Sequence, residues 1–218
     1  MDYQELFATF EQAADAEQAA PMSAYMRDQF PYLGVKTPQR KVLSRDFLKA
    51  AKRTGVVDWG FIDTCWERDE REFQYLALDY LAALVKALTP QDIPCIKRLA
   101  QTKSWWDTVD NLDTVIGQIA LSYPEVNKTL LAWSTDDDFW LRRLAIDHQL
   151  LRKERTDTEL LRRILVNNLG QTEFFINKAI GWALRDYSKT DPAWVRAFIE
   201  EHRAQMAPLS IREASKYL

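Results

Sequence analysis

Three short segments hold the residues whose types and spacing could do chemistry. The first is Ser104-Trp105-Trp106-Asp107-Thr108-Val109-Asp110. On a helix, Trp106 and Asp110 stand four residues apart and share a face. With Val109 and Leu112 buried, that pair lies at the border of the apolar stripe, where an aspartate needs a partner or a ligand. The second segment puts Lys178, Trp182 and Arg185 at i, i+4 and i+7, so that one stripe joins an indole to two cations. The third, Phe139-Trp140-Leu141-Arg142-Arg143, puts Trp140 and Arg143 at i, i+3. Cations interleaved with flat aromatic faces suit a nucleic-acid groove: the cations meet phosphates, and the rings meet sugars and bases. The first and third segments also have a plainer arrangement. Both tryptophans of the first can be core with both aspartates on the surface, and Arg143 can be an i, i+4 ion pair with Asp147.

The chemistry that the chain lacks is as informative. His148 and His202 are its only histidines and have no cysteine near them, so no zinc spacing exists and no Ser-His-Asp arrangement is suggested. The reading is a metal-free site without a histidine base. Cys65 and Cys95 form no CxxC pair and read as two reduced, packed thiols. Six glycines are too few for a Gly-rich phosphate loop or a hairpin-rich β-protein. The net charge of −3 is unhelpful for nucleic acid, but a local patch is what binds phosphate. The stretch from Arg142 to Arg163 is modestly basic and can equally be a solvated face. No apolar run approaches the roughly 20 residues of a membrane span. The start, Met1-Asp2-Tyr3-Gln4-Glu5-Leu6, has no basic and apolar regions of a signal peptide, which points to the cytoplasm.

Helices must position these residues. Tyr3, Leu6, Phe7 and Phe10 fall on one helix face, as do Phe73, Leu76, Ala77, Tyr80, Leu81 and Leu84. Breaks fall at Thr37-Pro38, Thr89-Pro90, Tyr123-Pro124, Asp191-Pro192 and Ala207-Pro208, with Thr37, Thr89 or Asp191 as candidate N-caps. No alternation is long enough for a sheet. The triplets Ala77-Leu78-Asp79, Thr108-Val109-Asp110, Ala145-Ile146-Asp147, Ala179-Ile180-Gly181 and Ala214-Ser215-Lys216 recur at intervals of 31, 37, 34 and 35 residues. A period in the mid-thirties with two helices per unit predicts an all-α, HEAT-like helical repeat solenoid, a single domain over residues 1–218 with a concave face. Gly181 costs roughly 1 kcal/mol of helix stability relative to alanine, so close approach of another helix or a ligand is expected there.

The chain resembles the AlkD family of bacterial alkylpurine DNA glycosylases, which are HEAT-like repeat enzymes of DNA alkylation repair. The resemblance rests on Lys103 to Asp110, on Trp140-Leu141-Arg142-Arg143 with Ala145, and on Glu173-Phe174-Phe175 with Lys178 to Arg185. Weaker support comes from Pro21 to Met26, Leu33 to Pro38, Glu70 to Gln74 and Ala207 to Ser210, so the match runs in order over nearly the whole chain. It implies that Asp110, Trp106 and Trp182 form the catalytic cleft and that Arg143 holds the DNA backbone. Lys178, Arg185 and Tyr25 are implied as further DNA-facing positions. The implied activity is monofunctional base excision: hydrolysis of the N-glycosidic bond of cationic N3- or N7-alkylated purines in duplex DNA, without a pocket for a flipped base. The residue inventory suits it. An alkylated purine departs as a neutral base and needs no general acid, so one carboxylate can stabilise the oxocarbenium-like sugar and orient water. The implied partner is double-stranded DNA with alkylated purines, with no cofactor, metal or membrane, and the chain is expected to act as a monomer, cytoplasmic and nucleoid-associated when bound to DNA. Two other readings are a non-catalytic HEAT-like binder of damaged or branched DNA and a protein-interaction scaffold.

Overall fold

The computed structural model describes residues 3–218; Met1 and Asp2, with which the acidic N-terminal stretch begins, lie outside the described residues. Thirteen α-helices and five short 3-10 turns make up the described residues, and no strand occurs among them. No helix is long and apolar enough to cross a membrane. The chain packs as two compact units, residues 1–88 and 89–218.

The first unit holds α1 (Tyr3–Gln12), α2 (Ala16–Tyr25), α3 (Thr37–Thr54), α4 (Trp59–Glu67) and α5 (Arg71–Ala83). The apolar face expected on α1 is buried at Leu6, Phe7 and Phe10, and Phe7 packs edge-on against Phe73 of α5. Helix α3 packs on both α1 and α5. The buried Glu72 carboxylate accepts from the backbone N–H groups of Leu33, Gly34 and Val35, which fixes the connection between α2 and α3. Thr37 is not a cap: it is the first residue of α3, and Lys36 stands at the N-cap without a side-chain bond. Pro38 in the first turn lacks only an N–H that the helix start would leave unpaired anyway.

The second unit holds α6 (Ile93–Gln101), α7 (Trp106–Ser122), α8 (Asn127–Trp133), α9 (Phe139–Asp147), α10 (Thr158–Val166), α11 (Phe174–Tyr187), α12 (Pro192–His202) and α13 (Pro208–Ala214). Its order is the predicted helix-pair repeat. The second helices of successive pairs form a row, α7 on α9, α9 on α11 and α11 on α13. The repeated small residues explain the row: Thr108, Ala145, Ala179 and Ala214 are all buried, one on each of these helices. Helix starts are set by carboxylates accepting from first-turn N–H groups, Asp138 on α9, Asp157 on α10, Glu173 on α11 and Asp191 on α12. Thr89 does cap, but on the 3-10 turn Pro90–Asp92, where it forms a capping box with Asp92.

The close approach expected at Gly181 is that of α13. A Cβ placed on Gly181 would lie 2.5 Å from Glu213 Cβ and 3.1 Å from the Ser210 carbonyl oxygen. The Ser210 hydroxyl donates to the Asn177 carbonyl at 2.7 Å, which locks the two helices together. Gly181→Ala should therefore destabilise the chain by about 1–3 kcal/mol through overpacking. Denaturant unfolding measures this, and an unchanged midpoint would show that the α11–α13 contact relaxes freely.

Candidate active site

The row α7, α9, α11, α13 brings the predicted residues of the second unit together. An aromatic wall aligns the starts of three of these helices. The Trp105 ring meets Trp140 at 6.0 Å and Phe175 at 5.2 Å, and Trp140 meets Phe175 at 4.9 Å. Trp105 is thus a packing residue, as is Trp140, which is buried in the wall instead of facing a groove.

One turn past this wall lies an ion cluster. Arg143 on α9 is buried, and its Nε and Nη2 donate to Asp110 Oδ1 and Oδ2 at 2.7 and 2.8 Å, a bidentate pair across to α7. Its Nη1 donates to the Phe175 carbonyl at 2.7 Å on α11. The i, i+4 pair with Asp147 also exists, but at 3.9 Å it is the longer contact. The guanidinium implied for the DNA backbone is therefore turned inward, and Asp110 is its main partner. Asp110 and Trp106 both sit half-buried while Val109 and Leu112 are buried, so they mark the border of the α7 apolar face.

Sequence reasoning missed Asp113 and placed Asp147 only as a rival partner for Arg143. Both are buried, and carboxylate oxygens of Asp110, Asp113 and Asp147 lie within 4.8 Å of one another. The signals were present: Asp113 is three residues from Asp110, and Asp147 is four from Arg143. Three carboxylates at this spacing could ligate a cation, in competition with the Arg143 guanidinium beside them. Burial pushes the Asp147 carboxyl up to about 7 against the opposing pull of Arg143, and the nearby Asp110 raises it further. Burial, then the charges of Asp147 and Asp110, hold Asp113 well above the usual carboxylate range. Burial also raises Asp110, but there the Arg143 hydrogen bonds oppose it directly. Of the three, Asp110 is the one that Arg143 hydrogen-bonds directly.

Trp182 on α11 is half-buried among cations: Arg143 Cζ, Lys178 Nζ and Arg185 Cζ lie 5.3, 5.6 and 5.8 Å from its ring centre. Lys178 and Arg185 are positioned by Glu213 of α13, which accepts from them at 3.0 and 2.6 Å and from Lys216 at 2.8 Å. The hydrogen bond from Lys216, joined by that from Lys178, holds the Glu213 carboxyl down at about 2. Glu213 carries no motif; its only trace in the sequence was the neighbour that Gly181 required. A cavity of about 380 Å³ opens beside Asp110, Asp113 and Trp182, with Arg185 on its wall; Trp106, Arg143 and Lys178 lie outside its lining. Tyr25 belongs to the first unit, where it ends α2 and is exposed.

A family model described as DNA alkylation repair enzyme matches residues 6–218. The chain belongs to this family. A solved structure of a protein from Enterococcus faecalis, described as a predicted DNA alkylation repair enzyme, is 36% identical, with a TM-score of 0.86 over 94% of this chain and 96% of that one. AlkD2 from Streptococcus mutans shares the fold at 16% identity, with a TM-score of 0.61 over 82% of this chain and 97% of that one. No curated protein matches the chain. Membership in the family makes DNA alkylation repair the setting of this chain.

The raised carboxyls set a pH dependence. Asp147 keeps its proton in the folded chain up to about 7, whereas the unfolded chain loses it near 3.8. Over that interval the folded state binds more protons, so stability falls as pH rises. Asp147→Asn removes this term. Its Tm should drop less than that of the unaltered protein between about pH 4 and about pH 7; an identical slope would mean that Asp147 is ionised in the folded state.

Proposed function

We propose that this protein is a monofunctional DNA glycosylase that releases cationic N3- and N7-alkylated purines from duplex DNA, with Asp110 as the catalytic carboxylate. The observation that carries this reading is Asp110 itself, a carboxylate on a cavity wall beside the Trp182 indole, held in one orientation by two hydrogen bonds from Arg143. An alkylated purine leaves as a neutral molecule, so the barrier lies in the positive charge that develops on the deoxyribose. At about 4 Å and an effective dielectric near 20, a carboxylate stabilises a unit positive charge by about 4 kcal/mol; a guanidinium at roughly 8 Å offsets about half of this. The nearer charge wins, and the pair is a net attractor for the oxocarbenium-like sugar. The bidentate bonds leave each Asp110 oxygen a further lone pair with which to orient the attacking water. The Trp182 face, and that of Trp106 one turn before Asp110, add affinity for positive charge and flat surfaces for the sugar.

Arg143 acts in this scheme by positioning Asp110 and not by holding a phosphate. Lys178 and Arg185 remain the cations for the DNA backbone, since both are part exposed on α11, and Tyr25 is assigned a contact of its own on the first unit. The partner is alkylated double-stranded DNA, the cofactor requirement is none, and the chain acts as a monomeric single-domain enzyme in the bacterial cytoplasm.

Asp110→Asn removes the attraction while leaving the Arg143 charge in place, so release of 7-methylguanine from methylated duplex DNA should fall by about three orders of magnitude. DNA binding should be retained. Undiminished release would overturn the role of Asp110, and binding of alkylated DNA without release by the unaltered protein would favour the non-catalytic binder. Lys178→Ala should flatten the salt dependence of duplex binding by about one phosphate contact, as read from affinities across a salt series.

A further inference from the structure

Helix α3 of the first unit is strongly basic in a chain whose net charge is −3. Its 18 residues hold six cations and a single acid, Asp46. One cation is used inward: Arg40 is buried and pairs with Asp79 of α5 at 2.9 Å. Ser44 is buried on the same side, and Phe47 packs on Phe61 of α4 and Tyr80 of α5 at 4.8 and 6.1 Å. These contacts fix which side of the helix faces out. The other five cations, Lys41, Arg45, Lys49, Lys52 and Arg53, are all exposed.

Four of them, Lys41, Arg45, Lys49 and Arg53, stand at i, i+4, i+8 and i+12 and so form one row. A solvated helix face commonly alternates in sign, so that residues four apart attract. This row does the reverse: each successive pair is a like-charge pair, which destabilises a helix. Asp46 meets Arg45 at 3.7 Å with both side chains in water, a contact of little worth. Among the described residues no acid pairs with Lys41, Lys49, Lys52 or Arg53. Lys52 and Arg53 suit the negative end of the helix dipole, but Lys41 and Arg45 lie in the first half and gain nothing from it. An anionic partner would relieve the repulsion along the whole row.

We propose that this row is a second DNA-binding surface, which holds the phosphates of a duplex independently of the Asp110 site. Twelve residues of helix span about 18 Å, over which one strand of a duplex presents about five phosphates. The row therefore meets a line of anions along its length, which no single small anion could supply. Membership in a DNA alkylation repair family makes DNA the polyanion at hand. Binding through phosphates is independent of sequence and damage, so the row adds affinity for the undamaged duplex in which a lesion must be found. The proposal rests on the family and on the charge of α3, and not on the glycosylase reading.

The test is the salt dependence of binding to an undamaged duplex. The variant K41Q/R45Q/K49Q/R53Q should bind at least about 10-fold more weakly than the unaltered protein at about 0.1 M salt, and the slope of log K against log salt should shrink by about two to four. Its Tm should hold or rise, because the like-charge pairs are gone. A second variant, K86Q/K128Q/R163Q/R196Q, loses the same charge from exposed positions off the row and should keep the slope to within about one. An unchanged slope in the first variant, or equal falls in both, would overturn the proposal. So would loss of binding to vesicles of anionic lipid with DNA binding intact, because the row would then serve a membrane surface. Base release has no part in this measurement, so its failure would count against the role of Asp110 and not against α3.

Discussion

The second unit is organised around one interaction, the buried bidentate pair of Arg143 and Asp110. It ties α7 to α9, and the third bond of the same guanidinium, to the Phe175 carbonyl, ties α9 to α11. A guanidinium can do this because its planar fork delivers several donors in fixed directions. Burying such a pair is nearly neutral in free energy when both members are present, but losing one member costs about 3–5 kcal/mol. Structure and the proposed chemistry thus rest on the same atoms. The guanidinium that holds three helices in register is also the group whose hydrogen bonds oppose the rise that burial imposes on the Asp110 carboxyl.

The cations around Trp182 follow a second rule of the same kind. Like charges would splay Lys178 and Arg185 apart. Glu213 collects them from beneath and, being strongly hydrogen-bonded, stays ionised to low pH. The last helix α13 therefore contributes to the site without facing the cavity. It packs against the place where Gly181 lacks a side chain and delivers one carboxylate there.

A comparison within the chain separates scaffold from site. Asp79 occupies the triplet position that Asp110 occupies in a later repeat, and it too is met by a buried arginine, Arg40 of α3, at 2.9 Å. An Asp–Arg pair between helices thus occurs in both units, with the arginine on an earlier helix in the first and on a later helix in the second. What sets Asp110 apart is its setting: the further carboxyls of Asp113 and Asp147, the Trp182 indole and the cavity beside it.

By itself the sequence determined the helices, their pairing and their row, because these depend on local quantities: the 3.6-residue period, prolines at helix starts, capping carboxylates and small residues at a regular interval. It also marked Trp106, Asp110, Lys178, Trp182 and Arg185 as one-face residues, since side chains three or four apart on a helix must be neighbours. Tertiary structure alone decided what each side chain faces. Arg143 reads from its spacing as readily toward a phosphate as toward Asp147; only the distance between α7 and α9 turns it to Asp110. Asp113 and Glu213 carry no motif, because their meaning rests largely on the charge of residues 28 to 35 positions away. The exposure and left-handed backbone of Leu151 were invisible for the same reason: the loop that carries it is held by Gly117, Asp186 and Asp157, which no local pattern connects.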